Sequence, residues 1–207
     1  MRFLLIACLL SIGCANSQKK NPQKIHVGGP CVGCEALYEY GKKTLKTIDT
    51  IPGFETTSQK MMVTGLIFEK DGKTPAKDVI LYAYHTDEKG IYPKKNNSKG
   101  WERRHGYMRG WVKTDKTGRY TFYTLRPASY PNTTIEQHIH LTVKEPNINE
   151  YYIDDITFDD DPHLSNRTKN RQNPRGGKGI VTLERDGDFL IANRTIILGK
   201  NIPNYPK

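Results

Sequence analysis

The chain has 207 residues, with 32 lysines and arginines against 22 aspartates and glutamates, a formal charge of +10, and 36% hydrophobic and 26% charged residues. These values exclude an intrinsically disordered chain, a collagen-like repeat and a polytopic membrane protein. They leave an enzyme, a binding module or an envelope structural protein open, in one domain or at most two small ones.

Met1-Arg2 is a minimal basic start, and Phe3 to Ile12 is an apolar run too short to cross a bilayer. Small residues Gly13, Cys14 and Ala15 follow, so residues 1–13 read as an export signal. Ser11-Ile12-Gly13-Cys14 is also similar to a bacterial lipoprotein box, in which Cys14 becomes the acylated mature N-terminus; Ser11 stands where an aliphatic residue is commoner. The expectation is an exported protein: a cell-envelope lipoprotein that meets a membrane only through that anchor, or a secreted or periplasmic one without it. Residues 14–30 are polar and lysine-rich, as in a tether, and residues 31–207 read as one folded domain.

Cys31-Val32-Gly33-Cys34 is a single CxxC, without the second pair that a structural zinc site needs. In an oxidising compartment Cys31 and Cys34 are expected to form a local disulfide. Residues 34–45 are compatible with one short helix. From Met61 onward, short alternating runs lie between turn signals. Strands are predicted over residues 61–68, 79–84, 107–113, 119–125, 137–143, 152–158, 180–184 and 189–198, with Asp186-Gly187 as a tight hairpin turn. About eight short strands with long loops and almost no helical period predict an all-β fold, an antiparallel β-sandwich or barrel. The densest basic stretch, Arg167 to Lys178, is rich in Asn, Pro and Gly and reads as an exposed loop. It holds no aromatic residue for base stacking, so no nucleic-acid partner is expected.

Among the six histidines, His138-Ile139-His140 stands apart. On a strand, residues two apart share a face, so both imidazoles project together and offer two nitrogen donors to a metal. Further donors would come from carboxylates, such as Asp159 to Asp161, or from tyrosines, of which there are 12. Tyr92 follows the turn at Glu88-Lys89-Gly90, and Tyr130 lies in Arg126-Pro127-Ala128-Ser129-Tyr130-Pro131. A tyrosinate is a hard oxygen donor suited to ferric iron. From composition alone the reading as packing tyrosines is the favoured one.

Several stretches, in this order, resemble one known family. They are Val63-Thr64-Gly65, Leu81 through Thr86-Asp87-Glu88-Lys89-Gly90-Ile91-Tyr92, Met108 through Asp115, Gly118-Arg119-Tyr120, Arg126 through Pro131, and His138-Ile139-His140. The order and spacing resemble the intradiol ring-cleavage dioxygenases, which include protocatechuate 3,4-dioxygenase and catechol 1,2-dioxygenase. The resemblance implies a β-sandwich with a mononuclear non-haem Fe(III), held by Tyr92, Tyr130, His138 and His140. It makes Tyr130 the catalytic tyrosine that leaves the iron when substrate binds, and a small aromatic diol and O2 the reactants. Two positions depart from the family pattern: Ile135 stands where the family has an arginine, and Asp155 where it has a glutamine. The altered surroundings keep an alternative in view, a non-catalytic envelope lipoprotein of the same fold that binds a metal, an aromatic ligand or a protein partner.

Overall fold

The computed structural model describes residues 26–207. Residues 1–25, with the expected signal and the acylation candidate Cys14, lie outside the described residues. Val27 is buried, and the Gly28 amide donates to the Pro203 carbonyl at 2.7 Å.

Eleven strands are described: β1 (Ile48–Thr50), β2 (Lys60–Phe68), β3 (Ile80–Tyr84), β4 (Arg109–Lys113), β5 (Arg119–Leu125), β6 (His138–Lys144), β7 (Tyr151–Phe158), β8 (Ile180–Val181), β9 (Leu183–Asp186), β10 (Phe189–Asn193) and β11 (Ile196–Ile197). One sheet has the order β1-β5-β2-β10-β9, with β11 also on β2, and the other has β4-β3-β6-β7-β8. The expected all-β sandwich is present. The expectation of purely antiparallel sheets is corrected: β1 on β5, β10 on β2, β11 on β2 and β8 on β7 are parallel. Each parallel partner arrives by a long connection, whose direction local alternation does not encode. The expected strands at 180–184 and 189–198 each divide in two. At Thr182 the chain leaves the second sheet, where β8 pairs β7, and joins the first, where β9 pairs β10. The β9–β10 turn is tight, with Phe189 opposite Asp186 and Gly187 at φ 56°.

Inward residues of both sheets make the core, among them Met61, Val63 and Phe122 from one sheet and Leu81, Val112, Ile139, Leu141 and Val143 from the other. Strand alternation then turns Tyr82, Tyr84, His138 and His140 to the outer face of the second sheet. Part of that face is covered by a 3₁₀ turn, Cys34–Tyr38, in place of the longer helix expected over residues 34–45. Ala36 and Leu37 of this turn pack with Tyr82 and Trp111 as a second, smaller core. The Cys31–Cys34 disulfide forms as expected. Two one-turn helices, α1 (Glu102–His105) and α2 (Asn166–Lys169), lie in the long loops. No helix among the described residues is long and apolar enough to cross a membrane.

Candidate metal centre

His138 and His140 reach the site from β6, two residues apart on a strand. Opposite them β7 carries one extra residue: Ile139 pairs Ile156, yet Leu141 pairs Ile153. This bulge places two consecutive aspartates, Asp154 and Asp155, across from His140. They point to different partners. Asp155 Oδ1 lies 3.1 Å from His140 Nδ1, while Asp154 Oδ2 pairs with Arg171 Nε at 3.0 Å.

The tyrosines arrive on loops stitched together by hydrogen bonds. Thr86 Oγ1 donates to the Ala128 carbonyl at 2.7 Å, and the Ala128 amide donates to the Asp87 carbonyl at 3.1 Å. Asp87 Oδ1 accepts the Lys89 and Ile91 amides, each at 2.9 Å, which turns the chain toward Tyr92. Gly90 sits at φ 76°, and a Cβ there would fall 1.9 Å from the Ser129 carbonyl oxygen, so only glycine lets the two loops approach. The Tyr92 and Tyr130 hydroxyls are thereby brought together.

The four predicted donors form a closed ring. Tyr92 and Tyr130 hydroxyls are 2.7 Å apart, Tyr130 to His138 Nε2 is 3.1 Å, His138 Nε2 to His140 Nε2 is 3.1 Å, and His140 Nε2 to Tyr92 is 3.0 Å. Two donors about 2.1 Å from one ion and about 90° apart lie roughly 3 Å from each other, which is this spacing. The proton count also fits a cation. His138 Nδ1 donates to the Glu136 carbonyl at 2.6 Å, and His140 Nδ1 donates to Asp155. With Nδ1 as the donor in each ring, the neutral imidazole form leaves Nε2 bare and facing the other ring. A cation is the natural partner for that pair of lone pairs.

Burial dominates the electrostatics of the donors. Burial, with a smaller push from the neighbouring His140, lowers the His138 pKa and keeps the ring neutral. Burial also raises the Tyr92 and Tyr130 hydroxyls; at Tyr130 the hydrogen bond with Tyr92 opposes this. Burial alone would raise Asp155, but His140, its Nδ1–H bond, His138 and Arg194 outweigh it and hold the carboxyl below the usual range. His138, His140 and Asp155 also form a metal-capable cluster, with ligand atoms within 4.8 Å of one another. Because Asp155 addresses the nitrogen of His140 opposite Nε2, it orients the ring and is not a fifth member of the donor set.

Aromatic rings brace the back of the site. Tyr84 stacks on His140 with centroids 4.5 Å apart, and His105 stacks on Tyr84 at 3.9 Å and 6°. His105 is held by Tyr82, whose hydroxyl is 2.9 Å from His105 Nδ1, and by Gly33 of the disulfide loop, which packs against its imidazole. Neither Tyr84 nor His105 stood out in the sequence; the available signal is that Tyr84 pairs His140 across β3 and β6.

Residues 37–175 match the family model described as Dioxygenase. The chain belongs to the intradiol dioxygenase family. Over 138 residues this intradiol dioxygenase family member is 24% identical to the protocatechuate 3,4-dioxygenase beta chain of Burkholderia cepacia, covering 61% of this chain and 58% of that relative. It thus spans less than two-thirds of that protein's length. Its fold is similar to the dioxygenase domain of a dioxygenase–carbohydrate-binding fusion from Streptomyces sp. SirexAA-E (TM-score 0.55, 19% identity, 77% of this chain and 94% of that one). It is also similar to 3-chlorocatechol 1,2-dioxygenase from Rhodococcus opacus 1CP (TM-score 0.55, 18% identity, 78% and 69%).

The resemblance marks Ile135 and Asp155 as departures from the family pattern. Ile135 is 45% exposed and brings no charge to the site. Arg109 does not replace the missing arginine, because Glu39 and Glu102 hold it at 2.5 and 3.5 Å. Arg194, which sequence reasoning passed over, is fully buried, donates Nη1 to the Asp154 carbonyl at 2.5 Å and supplies positive charge near Asp155.

Proposed function

We propose that this chain is an oxidoreductase that holds Fe(III) through Tyr92, Tyr130, His138 and His140 and cleaves an aromatic diol with O2. The observation that carries the reading is the closed ring of two phenol oxygens and two imidazole Nε2 atoms. A bound trivalent ion would displace the phenol protons, and the two phenolates with the nearby Asp155 carboxylate would then offset its charge.

Bound ferric iron would chelate the diolate and draw electron density from its ring, opening the ring to O2. The chain's own residues do the rest. Asp155 and the Glu136 carbonyl fix both histidine tautomers and ring orientations. Tyr84 keeps the His140 ring from rotating. Tyr130, hydrogen-bonded to Tyr92 and His138, would as a phenolate be placed to accept a proton from the incoming diol at its phenol oxygen. With Ile135 in the arginine position, stabilisation of charge on the reacting ring is weaker, and loss of one such group costs on the order of 10²–10³ in rate.

The test is iron content and visible absorption of the purified chain, followed by addition of a catechol in air with an oxygen electrode. Near-stoichiometric iron, a tyrosinate charge-transfer band, a band shift with catechol and oxygen uptake would support the whole reading. A colourless chain that takes up no iron would sink it. The exposed Ile135 favours a second reading, a protein that binds the diol without turnover; a band shift with no oxygen uptake for any diol would establish that one. Export belongs to the same proposal and is supported by the Cys31–Cys34 disulfide, which persists in an oxidising compartment.

A further inference from the structure

Arg194 follows β10 in the first sheet, and its guanidinium ends at the bulge of β7 in the second. Its main chain is held on the first sheet from both sides. The Arg194 amide donates to the Thr64 carbonyl at 2.9 Å, and the Tyr120 hydroxyl donates to the Arg194 carbonyl at 2.9 Å. A Cβ at Gly65 would fall 1.9 Å from that carbonyl oxygen, so this approach needs a glycine. From this anchor the fully buried side chain reaches the other sheet, where Nη1 donates to the Asp154 carbonyl at 2.5 Å. Arg194 lies outside residues 37–175, the span that the family model matches.

The bulge is clamped from several sides. The Asp154 amide donates to the Arg175 carbonyl at 3.1 Å, the Asp154 carboxylate pairs with Arg171 at 3.0 Å, and Arg194 takes the Asp154 carbonyl. Gly179 lies so near that a Cβ on it would fall 2.2 Å from the Asp155 carbonyl oxygen. With these groups committed, the Asp155 carboxylate is left to accept the Nδ1–H of His140. A tie to one carbonyl does not by itself need a buried guanidinium. Arg194 Nε and Nη2 are buried without a hydrogen-bond partner, and no carboxylate lies within ion-pair distance of the side chain among the described residues. A buried cation in that state is less favourable than an apolar side chain of similar size. Its charge acts on the bulge itself: burial opposes ionisation of both Asp154 and Asp155, and Arg194 works against burial at each.

We propose that Arg194 is a positioning residue of the metal centre. From the first sheet it pins the β7 bulge by the Asp154 carbonyl, so that Asp155 faces His140 and His140 turns Nε2 to the metal. The metal end of this chain rests on the Fe(III) reading above; the link from Arg194 to His140 does not.

Full chains carrying Arg194→Met and Arg194→Lys, each alone and combined with Asp155→Asn, would be compared by iron retained against a graded chelator and by urea unfolding of the metal-free form. Arg194→Met removes the charge and the donor and keeps the apolar bulk. It is expected to weaken iron binding about tenfold. The metal-free chain should unfold at the same or a higher urea concentration, because an apolar side chain replaces an unpaired buried charge. Arg194→Lys keeps the charge and a donor without the planar fork and is expected to lose about threefold; it carries the test if the methionine variant folds poorly. In the Asp155→Asn background both losses should largely vanish, since the arginine then has no carboxylate to place. Nitrogen NMR of the histidines in the metal-free chain gives a reading independent of iron: the neutral His140 ring holds its proton on Nδ1 in the wild type and divides it between both nitrogens in the variants. Unchanged iron retention, losses that add in full to that of Asp155→Asn, or an unaltered His140 tautomer would overturn the role. A wild-type chain that takes up no iron, with the tautomer change present, would remove the metal and leave the link from Arg194 to His140 standing. Iron uptake with unaltered variants would do the reverse.

Discussion

Asp155 accepts the Nδ1–H of His140 at 3.1 Å because β7 bulges by one residue opposite that histidine. A carboxylate in this place fixes the tautomer and makes Nε2 a stronger donor. Asp155→Asn keeps an acceptor oxygen and removes the charge. Iron affinity is expected to fall about 10- to 100-fold, read as iron retained against a graded chelator. Unchanged retention would show that the carboxylate does not act on the metal.

Removing a donor has a larger effect. Tyr92→Phe and His138→Gln each break the four-atom ring and are expected to leave the purified chain without iron or visible colour. Full iron content in both variants would refute the ligand assignment.

Gly90 tests how the tyrosines are brought together. In Gly90→Ala the new methyl meets the Ser129 carbonyl at 1.9 Å, at φ 76°. The expected cost is about 2 kcal/mol or more, with weaker iron binding, because Tyr92 and Tyr130 sit on the two loops that are forced apart. Wild-type stability and iron content in this variant would show that the loops separate without consequence.

The pH dependence of stability should carry the mark of His85. This ring is fully buried; Nδ1 faces the Thr86 carbonyl at 2.7 Å and Nε2 the Thr124 hydroxyl at 2.6 Å. Burial pushes its pKa down to about 4, against about 6.5 in the unfolded chain. Between these values the unfolded chain binds a proton that the folded one refuses. The contribution is therefore fully present above about pH 6.5 and is lost as pH falls toward about 4, on the order of 3 kcal/mol. His105, also lowered to about 4 by burial, steepens the same slope. His85→Gln is expected to flatten part of it in urea titrations at stepped pH. An unaltered slope would mean that His85 is protonated in the fold.

The Cys31–Cys34 link closes a very short loop, sequence separation 3. In chain-entropy terms it contributes about 2 kcal/mol, or about 4–8 °C in Tm for a chain of this size. Thermal melts with and without a reductant would measure it; a drop far beyond that range would mean the disulfide loop holds more than itself.

Much of this was legible in the residues. The strands around His138-Ile139-His140 follow period-two alternation, and that alternation is enough to put both imidazoles on one face. The meeting of Tyr92 with Tyr130, 38 positions apart, was reachable only through the family resemblance, because the bonds that join their loops draw on one side chain, Thr86, and otherwise on main-chain atoms present in any sequence. Parallel pairing of β10 on β2 was hidden for a related reason: alternation marks a strand's faces and says nothing of its neighbour. Asp155 was visible as a departure from the family and read as a loss. Its role appears once the bulge is known, since an extra residue in a strand leaves no compositional trace.

That extra residue in β7 also sets the phase of all that follows it. Downstream of the bulge, Thr157 shares the face of its partner His138, while Phe158 fills the core and pairs Val181 of β8. Shortening the strand by one residue would exchange these faces, sending a hydroxyl into the apolar interior and an aromatic ring out of it. Such a change leaves the genetic reading frame of the downstream codons intact when a whole codon is lost, yet it shifts the spatial frame of the strand, so site and interior are inherited together as one unit.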